Sequence, residues 1–243
     1  DALRAMGVEV WAMTDLEADD AENLLAEARE LLAVRNLHAL QEVTNLQATT
    51  SALQTRTEEA EDSSRRDPLT GALNRPWLDR MLDREFTQAV VFGRDLSVAH
   101  IDLDRFKLIN EKYGTPIGDK VLHSCAQAIQ GVVRGSDLVA RFGGEEFIVV
   151  LPSTDRAIAR QVAQRILAAL AGAEHGGESV AGVHVTASIG VATYTTTQRF
   201  PSTLALLEAA DHALYAAKLC GRNRVESYDE LPTSRRSPAA ARS

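Results

Sequence analysis

Arg141-Phe142-Gly143-Gly144-Glu145-Glu146-Phe147 is the stretch whose reading decides the fold. It lies between two runs of strand character, Asp137-Leu138-Val139-Ala140 and Phe147-Ile148-Val149-Val150-Leu151. Two glycines between such runs predict a tight hairpin, because a two-residue turn of the favoured hand requires positive φ. In a continuing strand, Glu145 and Glu146 would point to opposite sides of the sheet. Glycine also lets a ligand approach the backbone closely. A bare turn beside an acidic pair suits a cation-bearing ligand such as a metal nucleotide. Taken alone, these residues favour an ordinary solvated hairpin.

Outward from the hairpin, other blocks change that balance. Arg-Phe-Gly-Gly-Glu-Glu-Phe resembles the signature of the GGDEF-domain diguanylate cyclases, in the GGEEF form associated with active members. Upstream, Asp67-Pro68-Leu69-Thr70-Gly71-Ala72-Leu73-Asn74-Arg75 is similar to the family's D-x-L-T-G-L-x-N-R, with Ala72 in place of leucine. Read without the family, it is a turn and a helix start in which Asn74 caps and Pro76 takes the first helical position. Asp102-Leu103-Asp104-Arg105-Phe106-Lys107-Leu108-Ile109-Asn110 resembles D-I-D-x-F-K-x-I-N, and Gly118-Asp119 the later G-D pair. Near the end, Tyr215 to Asn223 is similar to Y-x-A-K-x-x-G-R-N. The resemblance covers residues 67–228, and its departures are mild: Glu111 for aspartate, and Thr115-Pro116 for His-x.

The residues supply the supporting physics. Leu96 to Asp102 is apolar on both faces, so it reads as a central strand covered on both sides. It ends in carboxylates beside a helix start, where exposed N–H groups attract anions; a lone acidic strand end would more often be a helix cap. The next helix buries Ile117, Val121, Cys125, Ala128, Ile129 and Val132. Arg134 and Asp137 follow, and a cation at a helix end is favoured by ~0.3–1 kcal/mol for dipole reasons alone. Ser153 or Asp155 caps a helix to Ala171, an alternating strand spans Val183 to Thr193, a last helix runs from Thr203 to Cys220, and a strand from Arg224 to Tyr228 closes the domain.

From Leu25 a seven-residue apolar repeat runs through Leu32, Ala39, Leu46, Leu53 and Ala60. The partner positions Arg29, Asn36, Val43, Thr50, Thr57 and Ser64 are mostly polar. This period predicts a left-handed coiled coil of soft register, against the alternative of one amphipathic helix packed on its own domain. The expected organisation is a helical segment over 1–66, a catalytic domain over 67–230 and a disordered tail over 231–243.

The chain of 243 residues has a net charge of −8, which argues against broad affinity for nucleic-acid polymers or anionic lipid. No apolar run approaches the ~18 residues that span a bilayer, so no membrane segment is expected. Scattered histidines argue against a zinc site. Cys125 and Cys220, both in predicted helices, read as core thiols of a cytoplasmic protein. The start at Asp1 suggests a fragment with an input domain upstream.

Strands alternating with helices around one hairpin indicate an α/β or α+β sandwich. The resemblance implies a nucleotide-cyclase-like palm, with a mostly antiparallel sheet flanked by helices. It also implies the site. Asp102, the Leu103 carbonyl and Glu145 would bind Mg²⁺ or Mn²⁺; Glu146 would be a metal ligand or an acid–base group. Glu145, Glu146 and Lys107 would carry the chemistry. Asn110 and Asp119 would read guanine, with Phe106, Gly143 and Gly144 making room for GTP, and Lys107, Lys218 and Arg222 would neutralise phosphates. Arg134 and Asp137, with Arg165 as a secondary contact, would form an inhibitory product site. The implied activity condenses two GTP into cyclic di-GMP and two pyrophosphates in a homodimer; the alternative is a silent domain that senses GTP or cyclic di-GMP.

Overall fold

The protein is described from a computed structural model covering residues 18–63, 65–175 and 182–232. The first 17 residues and the tail expected to be disordered lie mostly outside that range. The chain divides after Glu61 into two units. The described part of the first lies in helix α1, Ala18–Ser63, whose leucines at the described heptad positions, Leu25, Leu32 and Leu46, are all exposed. No helix among the described residues is long and apolar enough to cross a membrane.

The second unit orders α2 (Arg75–Phe92), β1 (Leu96–Leu103), α3 (Phe106–Tyr113), α4 (Thr115–Val132), β2 (Leu138–Gly143), β3 (Glu146–Pro152), α5 (Arg156–Gly172), β4 (Ala187–Tyr194), α6 (Thr203–Leu219) and β5 (Arg224–Ser227). Asn74 and Asp155 cap α2 and α5 by accepting from the Trp77 and Ile158 amides, and Ser202 caps α6. The sheet order is β2-β3-β1-β4-β5, antiparallel except for the parallel β4–β5 pair. This is the mostly antiparallel, helix-flanked α+β sheet that the sequence predicts.

Strand alternation sorts β1 into two cores. Ala99, Ile101 and Leu103 join Phe106, Val121, Ile129 and Ile166 under α3, α4 and α5. Leu96 and Val98 join Leu78, Leu82, Leu206 and Ala210 under α2 and α6. By the same alternation His100 and Asp102 belong to the α2–α6 side, and so does Glu146, beside Ile148 and Val150. Gly190 of β4 explains how α6 lies so close: a Cβ there would stand 2.1 Å from the Ala210 carbonyl oxygen and 2.1 Å from the Leu214 nitrogen.

Three expectations require correction. The hairpin turns at Gly144-Glu145 and not at the glycine pair, since Gly143 still pairs with Glu146 and only Gly144 has positive φ, 37°. A register shift between Arg141 and Gly143 takes up the difference. Glu145 therefore sits on the turn and not opposite Glu146 in a strand. The strand expected over Val183–Thr193 enters the sheet only at Ala187; Val183 bridges His175 instead, and every β4 residue is buried because helices cover both faces. Finally, Cys125 is buried, with burial pushing its thiol up to about 12, whereas Cys220 lies past the end of α6 and is exposed.

Candidate active site

The acidic strand end and the hairpin tip meet directly. Asp102 lies opposite Glu146 across the β1–β3 ladder, and the Leu103 amide donates to the Glu145 carbonyl at 3.3 Å. Burial pushes the Asp102 carboxyl above the ordinary aspartate range, and Glu145 and Asp104 add to the rise against the opposing pull of Lys218. Burial likewise raises Glu146, with further repulsion from Asp102, Asp211 and Glu145. The Lys218 ammonium contacts Asp102 Oδ2 at 2.7 Å. A cation therefore already offsets the charge that a strand end this buried cannot hold unaided.

Beside this cluster, Phe106, Lys107, Asn110, Asp119, Gly144 and Glu145 line one cavity of about 430 Å³, with Leu122 and Arg141 completing the wall. The buried Asn110 Oδ1 has no hydrogen-bond partner. A buried acceptor without a donor is costly, so this oxygen is suited to a ligand N–H. Gly118 makes room for it, since a Cβ at that position would come within 1.8 Å of Oδ1. Lys107 leans on Glu111 at 3.8 Å, an exposed i,i+4 pair that frees easily for a stronger anion.

Arg222 does not line this cavity; it opens on a separate one behind α3. Gly143 does not line it either and serves the ladder. Arg134 and Asp137 close a turn, the Arg134 amide donating to Asp137 Oδ2 at 2.9 Å and the Asp137 amide to the Arg134 carbonyl at 3.0 Å. Arg165 reaches the same corner through the Val132 carbonyl at 3.1 Å.

Two residues at the site act in ways the sequence did not single out. Arg141 donates from Nη2 to the Gly144 carbonyl at 2.9 Å and from Nη1 to Asp67 at 3.2 Å, bracing the hairpin against the Asp67-Pro68-Leu69-Thr70 turn. Thr70 completes the brace through its hydroxyl and amide, both on Asp67 Oδ1. The other is Asp104, which ties the end of β1 to Thr186, Ser188 and the Asn223 amide and does not cap α3. Pairings across such sequence separations leave no local pattern to read.

The donor chemistry around Asp102 fits a hard divalent cation: carboxylates, a nearby peptide carbonyl and no soft ligand. No group of three or more His, Cys, Asp or Glu side chains among the described residues is arranged to hold a metal by itself. An ion here would thus need oxygens from backbone or from a bound ligand as well.

A family model for the diguanylate cyclase GGDEF domain matches residues 64–224. The chain belongs to the GGDEF family. This GGDEF chain is 34% identical over 210 residues to the diguanylate cyclase DgcP of Pseudomonas aeruginosa, covering 86% of its own length and 30% of that protein. It therefore spans about a third of that curated relative. Among solved structures, the GGDEF domain of DgcB from Caulobacter crescentus, in complex with c-di-GMP, superposes with a TM-score of 0.64 at 31% identity, over 69% of this chain and 97% of that one. A form of DgcB comprising coiled coil and GGDEF domain, also with c-di-GMP, matches at 28% identity and a TM-score of 0.64, over 76% of this chain and 97% of that one.

Proposed function

We propose that this GGDEF domain is a diguanylate cyclase that joins two GTP molecules into cyclic di-GMP and releases two pyrophosphates. The observation that carries the reading is the unpartnered Asn110 oxygen, in one cavity with Asp119, Lys107 and Glu145. Guanine offers N1–H and exocyclic amine donors to the acceptor oxygens of Asn110 and Asp119. Adenine offers no such pair, and a site with buried acceptors rejects the analogue that leaves them empty.

Asp102, the Leu103 carbonyl and Glu145 would hold Mg²⁺ or Mn²⁺, which would neutralise triphosphate charge and favour ionisation of a ribose hydroxyl. Phe106 and the start of α3 offer backbone N–H groups to phosphate, and Lys107, Lys218 and Arg222 supply positive charge. With GTP bound, Lys218 exchanges Asp102 for a phosphate oxygen. The 3′-hydroxyl of one nucleotide then forms a bond to the α-phosphorus of the other, the bond to the β-phosphate oxygen breaks, and pyrophosphate departs. Glu146, on the same sheet face as Asp102, would accept the hydroxyl proton or add its carboxylate to the residues that would hold the cation.

One palm holds one GTP, so forming both 3′→5′ bonds requires a second palm facing the first. The exposed leucines of α1 support a homodimer through a coiled coil, and the match to a coiled-coil-plus-GGDEF structure agrees with that reading. The Arg134–Asp137 turn with Arg165 beside it supports a product-binding inhibitory site, which would couple product level to activity.

The test is chromatography of products after incubation with GTP and Mg²⁺. The expected result is cyclic di-GMP with two pyrophosphates per molecule and no reaction with ATP. A demonstrated dimer that binds GTP yet forms no cyclic dinucleotide would overturn catalysis in favour of a sensor.

A further inference from the structure

On the face of the sheet turned away from α3 and α4, helices α2 and α6 flank a cavity of about 570 Å³. That volume falls in the range of small-molecule sites. Leu82, Phe142, Ile148 and Leu207 give it an apolar wall. Carboxylates stand among them from three elements: Asp79 and Asp83 of α2, Glu208 and Asp211 of α6, and Glu146 of β3. Arg75 is the one cationic side chain in the wall besides His100, and it lies over the Phe142 ring at 4.2 Å. Lys218 is taken up by Asp102 at 2.7 Å. Among the described residues, no lysine or arginine is ion-paired with any of the five acids.

His100 of β1 lines the same cavity and is only 5% exposed. A carboxylate faces each ring nitrogen: Asp211 Oδ1 stands 3.6 Å from Nδ1, and Glu146 Oε1 stands 3.8 Å from Nε2. Neither distance is a hydrogen bond. The buried Nε2 has no hydrogen-bond partner at all. Burial favours the neutral imidazole, in which one nitrogen carries no hydrogen. Whichever nitrogen that is, its lone pair meets a carboxylate, acceptor against acceptor. A hydrogen on Nδ1 answers the nearer Asp211 and leaves the Nε2 lone pair opposite Glu146. Two acceptors 3.8 Å apart leave room for one N–H-bearing group about 2.9 Å from each. Among the described residues, no group of three or more His, Cys, Asp or Glu is arranged to hold a metal ion, so a bare cation fits poorly here.

We infer that this cavity binds an aliphatic polyamine, with one ammonium seated between His100 and Glu146. Its methylene chain lies along the apolar wall, and its further ammonium groups meet the acids of α2 and α6. The wall selects this class of ligand. A quaternary ammonium brings charge but no N–H for His100, and a neutral alcohol brings a donor but no charge for the carboxylates. The consequence, though not the binding, rests on the cyclase reading: an ammonium held on Glu146 withdraws that carboxylate from the chemistry at Asp102 and slows product formation.

Calorimetric titration of spermidine into the full chain, without nucleotide or Mg²⁺, tests the binding independently of turnover. His100→Leu and Asp211→Asn should each weaken it at least tenfold, because each removes an acceptor that the ammonium needs. Asp211 is exposed, so Asp211→Asn keeps the test open should His100→Leu melt early. Glu174→Gln removes the same charge from outside this wall and should bind as the wild type does. Tetramethylammonium should bind at least tenfold more weakly than spermidine. The proposal is overturned if the wild type takes up no spermidine, or if Asp211→Asn and a folded His100→Leu bind it unchanged. It is equally overturned if Glu174→Gln weakens binding as much as Asp211→Asn, which would reduce the effect to net charge. Saturating spermidine should lower cyclic di-GMP formation several-fold in the wild type and leave Asp211→Asn unaffected; equal inhibition of both would overturn the link to Glu146. A chain that binds spermidine as expected, yet forms no cyclic dinucleotide in its absence, would leave the site standing and sink the cyclase reading alone.

Discussion

The proposed guanine reading depends on Gly118, because the Asn110 carboxamide occupies the space a Cβ would fill. Gly118→Ala should turn Asn110 aside, raising the KM for GTP at least tenfold with only a modest loss of stability; steady-state kinetics alongside thermal melting would separate the two. Glu145→Ala should abolish product formation and leave dimerisation intact in sedimentation. Persistent activity would show that the carboxylate on the turn is not part of the cation site. Asp67 offers a pH signature. Burial alone would raise its carboxyl, but the Thr70 hydroxyl and amide and the Arg141 guanidinium outweigh it and hold the group below its ordinary value. A depressed carboxylate stabilises the fold above its unfolded pKa, and that stabilisation is lost as pH falls through the lower folded value. Asp67→Asn should therefore cost about 1 kcal/mol at neutral pH. Urea titrations should show the gap closing only below the ordinary aspartate range, because the wild-type carboxyl is then protonated too. A gap that stays constant with pH would assign the loss to something other than charge.

At the scale of elements, the contact between α6 and β4 sets the position of Lys218, and Gly190 sets that contact. Gly190→Ala drives a Cβ into helix backbone that cannot move aside locally, and should destabilise the domain by about 4 kcal/mol, read as a large fall in Tm. For α1 the described apolar positions carry leucine at Leu25, Leu32 and Leu46, while the partner positions are polar apart from Val43. Such a seam pairs weakly and tolerates more than one register. Product formation should accordingly rise faster than linearly with protein concentration, and Leu32→Asp should return the chain to a monomer with product formation reduced at least tenfold. Activity strictly proportional to concentration in a monomeric variant would remove the paired-palm geometry. The central place of β1 was legible in advance because the strand carries apolar residues on both of its faces. The start of β4 was not, since the apolar alternation of Val183 and Val185 continues before Ala187 without pairing to β1.

Across the domain, charge is distributed unevenly: an acidic strand end and hairpin tip on one side of α3, and on the other Arg105, Lys112 and Arg222, which form no ion pair among the described residues. The sequence by itself determined the kind of sheet and the family, and it supplied the acidic, base-reading and phosphate residues now proposed, because motif order and apolar periodicity are local properties. Only the tertiary structure decided that the hairpin turns at Gly144-Glu145, since the register shift after Arg141 follows from how β2 pairs with β3. It alone joined Arg141 to Asp67 and Lys218 to Asp102, pairs far apart in the chain and brought together by packing against a common sheet. It also divided the cations, giving Lys107 to the Asn110 side of α3 and Arg105, Lys112 and Arg222 to the other. A helix sends neighbouring residues to different faces, and the sequence does not say what each face will meet.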